Sequence, residues 1–266
     1  MDIGTAKPSS EELSEVKHHF INNLSIHDEY NIAQYEKEAI TLLEQLFQQK
    51  DVVVLVGGSG LYVNALCYGI DDIPSINTST RNKVNTIYKN DGIEGLRFML
   101  HQLDKKSYQA IDTQNPRRVM RALEVYLQTN KSIIDYQHRN KKSRKFSTIF
   151  IGLNLPRQDL YENINKRVDL MIKKGLIEEA KKLFPLNNQV VNKTVGYKEI
   201  FEYLNKNISI EEATEKLKKN SRNYAKRQIT WFKKNDQLKW YTMSTSKSLK
   251  NIKTDLILKI DHNFET

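Results

Sequence analysis

The sequence predicts a helix-rich α/β protein whose core is interrupted by an all-helical insertion. A helix-periodic stretch at 33–49 runs into the β-branched segment Val52-Val53-Val54-Leu55-Val56, then through Gly57-Gly58-Ser59-Gly60 into a second helical stretch. Helix, apolar strand, glycine turn and helix in succession is the alternation of an α/β core. From 74 to 145 the periodic segments are helical and no convincing strand pattern occurs. Only 10 glycines and 5 prolines occur in 266 residues, about half of average usage, so turns are sparse.

Each element has its own signal. In 33–49, Ala39, Leu42, Leu43 and Leu46 recur at helical spacing with Glu and Lys between them. Val52 to Val56 is short and apolar on both faces, the pattern of a buried parallel strand. Leu61 to Leu66 reads as a helix. Within the insertion, helices are expected around 79–104 and 115–129, the second opened by Pro116, whose fixed φ suits a first helical turn. Ser147 to Leu153 restores a strand, and 157–183 reads as helical. Ser209 with Glu212 three residues on is a capping-box pair for a helix from about Ile210 to Lys233. Leu238 to Tyr241 reads as a short strand. The expected division is an α/β core with C-terminal helices at 1–73 and 146–266, around a helical insertion at 74–145.

Lysine and arginine number 42 against 32 acidic residues, a formal net charge of +10. A basic balance of this size favours a polyanionic partner, because each cation set against a phosphate can release a counterion. It does not by itself choose between nucleic acid and a membrane surface. The longest strongly apolar run, Val52 to Val56, is far shorter than the roughly 18 residues of a membrane-spanning helix. Met1 to Thr5 carries no basic-then-apolar leader pattern. The single cysteine, Cys67, excludes an intrachain disulfide and a cysteine-based zinc cluster. It suits a reducing, cytoplasmic setting. The histidines show no H-x-x-x-H or H-E-x-x-H spacing, so a zinc site is not expected.

Several segments have residue types suited to anion chemistry. Gly57-Gly58-Ser59-Gly60 either lets a ligand approach the backbone at a helix start, with the Ser59 hydroxyl as donor, or is a tight turn without a ligand. It is not a Walker A loop, since no Lys-[Ser/Thr] pair follows. Arg117, Arg118 and Arg121 crowd the first turn after Asn115-Pro116, where the helix dipole prefers anions. Either they meet phosphates or carboxylates of a ligand, or they are neutralised by Glu124 and other acids. A further basic run, Arg139, Lys141, Lys142, Arg144 and Lys145, stands where the insertion returns. From 216 to 234 there is no Asp or Glu, while Lys216, Lys218, Lys219, Arg222, Lys226, Arg227, Lys233 and Lys234 are interleaved with Tyr224 and Trp231. A solvated face normally mixes signs; this one reads as a polyphosphate-binding surface or as a basic face with its aromatics in the core. Lys193-Thr194-Val195-Gly196-Tyr197-Lys198 places a glycine and an aromatic between lysines, and Arg167 points either to a site or to Asp169 and Glu162.

Taken together, five segments resemble one family. They are Met1-Asp2-Ile3-Gly4-Thr5-Ala6-Lys7-Pro8, Leu55-Val56-Gly57-Gly58-Ser59-Gly60-Leu61-Tyr62, Asn115-Pro116-Arg117-Arg118 with Arg121-Ala122-Leu123-Glu124-Val125, Val195-Gly196-Tyr197-Lys198-Glu199-Ile200, and Tyr224-Ala225-Lys226-Arg227-Gln228-Ile229-Thr230-Trp231. They resemble the bacterial tRNA dimethylallyltransferases, also called tRNA isopentenyltransferases. Order and rough spacing agree over nearly the whole chain, and five motifs in order are specific where each alone is weak. The resemblance implies a P-loop-NTPase-like parallel-sheet core with a helical insertion. It implies transfer of a dimethylallyl group from dimethylallyl diphosphate to N6 of the adenosine just 3′ of the anticodon, tRNA position 37. Magnesium would assist the diphosphate, no organic cofactor is needed, and a monomer is expected. By the same resemblance, Arg167 lies on the diphosphate side and Ser59 at the catalytic end. The tRNA anticodon stem-loop is then contacted by Ser59, Arg81, Arg117, Arg118, Val119, Met120 and Arg121, by Lys193, Thr194, Val195, Gly196, Tyr197 and Lys198, and by Asn220, Arg222, Tyr224, Lys226 and Arg227.

The sequence departs from that pattern in places. In the family, a strand, a phosphate-binding P-loop and an aspartate proposed as general base precede the Asp-Ile-Gly-Thr motif, whereas this sequence opens at Met1 inside it. The expectation that follows is a chain without its first strand and P-loop, and the alternative of a catalytically impaired tRNA-binding remnant. Asn22-Asn23 follow His18-His19 where the family usually has an aspartate, and Ser59 replaces a commoner threonine while keeping the hydroxyl. A second alternative keeps the chemistry but moves the acceptor to a free adenine nucleotide; the basic helix and arginine clusters favour the larger polyanion.

Overall fold

The computed structural model describes residues 1–138, 140–186, 188–243, 250, 252–258 and 260. In chain order the helices are α1 (Ser10–Glu15), α2 (Ile32–Leu46), α3 (Gly60–Tyr68), α4 (Thr78–Leu103), α5 (Lys105–Ala110), α6 (Pro116–Thr129) and α7 (Ile133–Tyr136). Strand β1 (Ile151–Asn154) follows, then α8 (Arg157–Lys173), α9 (Leu176–Leu183), α10 (Gln189–Lys193), α11 (Tyr197–Leu204), α12 (Ile210–Phe232) and strand β2 (Lys239–Thr242). The chain divides into two compact units.

The first unit comprises Met1–Asn31, Val56–Gly60 and Ser147–Thr266. Its sheet is β1 paired in parallel with β2, Ile151 opposite Lys239 through Asn154 opposite Thr242, as the predicted return strand and short final strand require. Its core gathers Val168, Leu176, Ala180, Val191, Tyr197, Ile200, Phe201, Ala213 and Leu217, with Met1 and Ile3 packed against it. Ala213 and Leu217 lie one turn apart, which sets one face of α12 against the core. The stretch predicted as one helix at 157–183 is two. Gly175 adopts φ of +97°, and its N–H closes on the Ile172 carbonyl at 3.1 Å. The left-handed glycine ends α8 and starts α9.

The second unit comprises Ile32–Leu55 and Leu61–Phe146. Val84, Leu96, Leu100, Val119, Ala122, Leu123, Val125 and Ile133 form its core. Gly92, with φ of +63°, breaks the helical geometry inside α4. The unit is fastened by Arg144, whose guanidinium donates to Glu36 at 2.7 Å, to the Leu66 carbonyl at 2.8 Å and to the Ala65 carbonyl at 2.8 Å. Lys142 adds an ion pair to Glu36 at 3.6 Å and one to Asp72 at 3.2 Å, and Lys141 sits over the Tyr68 ring. The basic run at the return point is therefore largely committed to α2 and the end of α3; Arg139 lies outside the described residues. These bonds, with Tyr35 packed edge-on against Tyr62, put α2 and most of α3 in the same unit as 74–146. The sequence division had assigned them to the core.

The predicted strand at Val52–Val56 is a correction. The segment has no strand assignment, and Val54 and Val56 are 77% and 87% exposed. A strand exists through its hydrogen-bonded neighbours, and among the described residues β1 and β2 pair only with each other. No ladder reaches the β-branched run, so its residue types alone do not make it a strand. Among the described residues, no helix is long and apolar enough to cross a membrane.

Candidate nucleic-acid interface

Helix α12 starts where its cap dictates. Ser209 N–H donates to Glu212 Oε2 at 2.8 Å, and Glu212 N–H donates to Ser209 Oγ at 3.2 Å. The two halves of its basic run differ in their partners, and Tyr224 and Trp231 are exposed, not in the core. In the first half, Lys216 pairs with Glu202 at 2.8 Å, and Lys218 with Asp169 at 2.9 Å and Glu215 at 3.0 Å. Hydrogen bonding to those carboxylates raises both lysines above their ordinary range. Arg222 donates to Asn165 at 2.6 Å and lies over the Tyr161 ring. In the second half, Lys226, Arg227, Lys233 and Lys234 have no carboxylate within ion-pair distance among the described residues. A one-signed face without an acidic partner among the described residues remains there.

The glycine turn packs on that second half. Gln228 Nε2 donates to the Gly58 carbonyl at 2.9 Å. A Cβ on Gly58 would lie 2.0 Å from Gln228 Nε2, and one on Gly60 would lie 2.1 Å from the Trp231 ring. The bulky Trp231 ring leaves no room for a side chain at Gly60, whereas the neighbour of Gly58 is the movable end of Gln228; Ser59 between them is exposed. Gly57 has open space where its Cβ would be. The motifs at 55–62 and 224–231 meet here, through Gln228 and Trp231.

A second junction joins the N-terminal motif to the 195–200 motif. Glu179, in the first turn of α9, accepts from Ile3 N–H at 2.8 Å and Asp2 N–H at 3.1 Å, and also from the Tyr197 hydroxyl. Burial pushes the Glu179 carboxyl up, but the Tyr197 hydroxyl and the backbone donors outweigh it, so its pKa falls below the ordinary 4.5. Tyr197 is pushed up, first by burial and then by Glu179. A Cβ on Gly4 would meet the Tyr197 ring at 2.5 Å. Gly196 has φ of +108°, and its N–H donates to Glu199 Oε2 at 2.8 Å; the other oxygen of Glu199 accepts from Asn220 at 2.6 Å. Two glutamates therefore index four segments of the chain. Sequence reading missed Glu179 altogether, while Glu199 stands three residues after a helix-start glycine, where a carboxylate can reach back to the cap N–H.

The remaining expected residues sort by exposure. Arg167 is exposed on α8; Asp169 pairs with Lys218 and Glu162 accepts from Gln158, so neither expected acid holds it. Ser59, Tyr224, Lys226 and Arg227 are exposed, as are Lys193 and Lys198; Thr194 and Val195 are half-buried, and the Thr194 hydroxyl donates to the Val190 carbonyl. Tyr197 is fully buried, which corrects its expected place on a ligand surface: its side chain holds the second junction from inside. Asn220 is likewise engaged with Glu199.

In the second unit, Arg81, Arg117 and Arg118 are exposed and Met120 is half-buried. Asn115 caps α6 by accepting from Arg117 N–H and Arg118 N–H at 3.1 and 3.4 Å. Arg121 lies 3.7 Å from Glu124 and reaches the Pro74 carbonyl, and Arg118 lies 3.9 Å from Asp112. Neutralisation thus applies to Arg121, and loosely to Arg118, while Arg117 has no carboxylate among the described residues. Val119 is sealed in the core, which corrects its expected contact: a helix start that presents arginines outward turns this position inward.

The family model described as IPP transferase matches residues 1–235. The chain belongs to the IPP transferase family. A tRNA dimethylallyltransferase of Flavobacterium johnsoniae is 44% identical over 256 residues, covering 93% of this chain and 82% of that protein. One of Christiangramia forsetii is 44% identical over 241 residues, covering 91% and 80%. The crystal structure of a full-length tRNA isopentenylpyrophosphate transferase from Bacillus halodurans matches with a TM-score of 0.69 at 34% identity, covering 100% of this chain and 85% of that one. A eukaryotic dimethylallyltransferase acting on tRNA matches with a TM-score of 0.72 at 23% identity and supports the fold alone.

Proposed function

We propose that this chain is a tRNA-modifying prenyltransferase, which moves a dimethylallyl group from dimethylallyl diphosphate to N6 of the adenosine 3′-adjacent to the anticodon, tRNA position 37. The observation that carries this is 44% identity, across 93% of the chain, to a protein named for that transfer. The second half of α12 supports it, because its unpaired cations suit a large polyanion better than a free nucleotide.

In the transfer, adenine N6 attacks C1 of the dimethylallyl group, the C1–oxygen bond breaks, and diphosphate leaves with the bonding pair. N6 then sheds a proton. Negative charge builds on the leaving group, so a cation aimed there lowers the barrier. Arg167, exposed and without its expected acidic partners, is assigned to that role. An adenine stacked in the anticodon loop cannot be reached at N6, so it must be extruded at about a few kcal/mol. We assign tRNA contacts to Ser59, Tyr224, Lys226 and Arg227 of the first unit and to Arg81, Arg117 and Arg118 of the second.

Magnesium would neutralise the diphosphate, and such ions are held chiefly by substrate oxygens and one or two carboxylates. Among the described residues, no group of three or more His, Cys, Asp or Glu side chains is placed to hold a metal, and no step above runs through one. We further infer a monomer working in the cytoplasm. The test is transfer of a radiolabelled dimethylallyl group to anticodon stem-loop RNA, beside a parallel reaction with AMP. Label in the RNA at position 37 is expected; label in AMP alone, or in neither, refutes the assignment.

A further inference from the structure

We propose that Glu179 is a positioning residue for prenyl transfer: its carboxylate holds the N-terminal motif and the 195–200 motif in a fixed relation, and the rate of the reaction depends on that relation. This role rests on the prenyl-transfer reading above; it works through neighbours and requires no contact with substrate.

The two motifs meet on a shared oxygen. Glu179 Oε1 accepts from Asp2 N–H at 3.1 Å, from Gly4 N–H at 3.5 Å and from the Tyr197 hydroxyl, while Oε2 accepts from Ile3 N–H at 2.8 Å. A shift of the Tyr197 hydroxyl is therefore felt by the N-terminal turn. The backbones also come close: a Cβ on Gly4 would strike the Tyr197 ring, and one on Gly196 would lie 3.5 Å from the Gly4 carbonyl. Interiors packed this closely transmit displacement instead of absorbing it.

Anchoring alone does not call for this arrangement. Met1 and Ile3 already pack against the core of the unit, and apolar burial by itself is non-directional. What the carboxylate adds is direction, since charge-assisted bonds from several donors fix geometry as well as distance. The turn it holds is closed on itself, with Ala6 N–H on the Ile3 carbonyl at 3.1 Å and Lys7 N–H on the Asp2 carbonyl at 3.4 Å. Ala6 takes φ of +50°, a left-handed conformation that persists in a non-glycine residue where the surroundings impose it. On the inner side of this clamp Tyr197 is fully buried, while Asp2, Thr5, Lys193 and Lys198 are exposed around it. A rigid inner layer presenting polar groups from both motifs suits an aligned reaction, because a displacement of about 1 Å arising far from the chemistry can cost on the order of 100-fold in rate.

The test measures steady-state transfer of a radiolabelled dimethylallyl group to anticodon stem-loop RNA by Glu179→Gln, Tyr197→Phe and the double variant, at a temperature where circular dichroism shows each to be folded. Tyr197→Phe keeps the buried ring and removes only the hydroxyl, so it decides the matter even where Glu179→Gln does not fold. Glu179→Gln should lower kcat about 10- to 100-fold, and Tyr197→Phe by a smaller factor. KM for the RNA and for dimethylallyl diphosphate should stay as in wild type, the mark of lost alignment and not of lost binding. The double variant should be no slower than Glu179→Gln, because both changes act through one carboxylate. Wild-type kcat in Tyr197→Phe, a loss confined to KM, or losses that multiply in the double variant overturn the positioning role while leaving the prenyl-transfer reading intact. A wild-type chain that labels no RNA overturns that reading itself, and this role with it.

Discussion

Replacing Glu179 by glutamine keeps the shape of the side chain and removes the charge that gathers the N-terminal motif. Its bonds from Ile3 and Asp2, at 2.8 and 3.1 Å, are charge-assisted, worth about 1.5–3 kcal/mol each against about 0.5–1.5 for neutral ones. A glutamine also turns an NH2 group toward one of those N–H donors, at about 1–3 kcal/mol for a donor left unpaired. Glu179 is half-buried, so water relieves part of this, and a net loss of about 2–3 kcal/mol is expected. The sign with pH is fixed by the carboxyl's depressed pKa. Its contribution is whole above the ordinary 4.5 and disappears as pH falls through the lower folded value. Urea unfolding of both proteins near about pH 7 and again near about pH 3 measures the gap. It should be wide at neutral pH and shrink in acid, and amide exchange at Ile3 should accelerate in the variant. A gap of the same size at both pH values, or none at neutral pH, would refute the account of the carboxylate as the anchor.

Three further outcomes follow from the same geometry. Arg144→Ala leaves Glu36 with the longer Lys142 contact and the Ile70 N–H at 3.3 Å, and should cost the second unit about 3–5 kcal/mol, read from its unfolding midpoint. Gly60→Ala drives a methyl into Trp231 and should destabilise by about 1–3 kcal/mol, whereas Gly57→Ala enters open space and should stay within about 0.5 kcal/mol; equal melting curves for the two would be the contrary result. Lys226→Ala and Arg227→Ala should each flatten the salt dependence of tRNA binding by about one phosphate's worth of counterion release; a slope like wild type would mean those cations face only solvent.

The helices were legible because their signals are local. Pro116 after Asn115, Ser209 with Glu212, and the leucine spacing of 39–46 each mark an end or a face without reference to the rest of the chain. The Val52–Val56 segment was misread for the opposite reason: a strand is defined by its neighbours, and β-branched composition says nothing about whether they come. Gly175 looked like one residue in a long helix because a left-handed turn has the same sequence cost as an ordinary interior glycine. At the candidate interface, the exposed cations could be named from charge runs. Val119 and Tyr197 could not be separated from their neighbours by motif membership, since a motif mixes residues that face a ligand with residues that hold the former in place. Glu179 was out of reach, because its backbone partners lie 175 to 177 residues away and its side-chain partner, Tyr197, carries no pairing signal.

The Arg144 clasp also sets an order of events. The guanidinium closes on a carboxylate 108 residues earlier, and on the carbonyls at the end of α3. During synthesis at about 5–20 residues per second, Glu36 of α2 leaves the ribosome roughly 5 to 20 s, and the α3 carbonyls roughly 4 to 16 s, before the cation that fastens them. Through that interval Glu36 lacks its cation, with Ile70 N–H as an earlier partner, and the unit can begin to pack but cannot lock. The basic run at the return point is thus the last piece of its own unit to arrive, and the unit stays unfastened until it does.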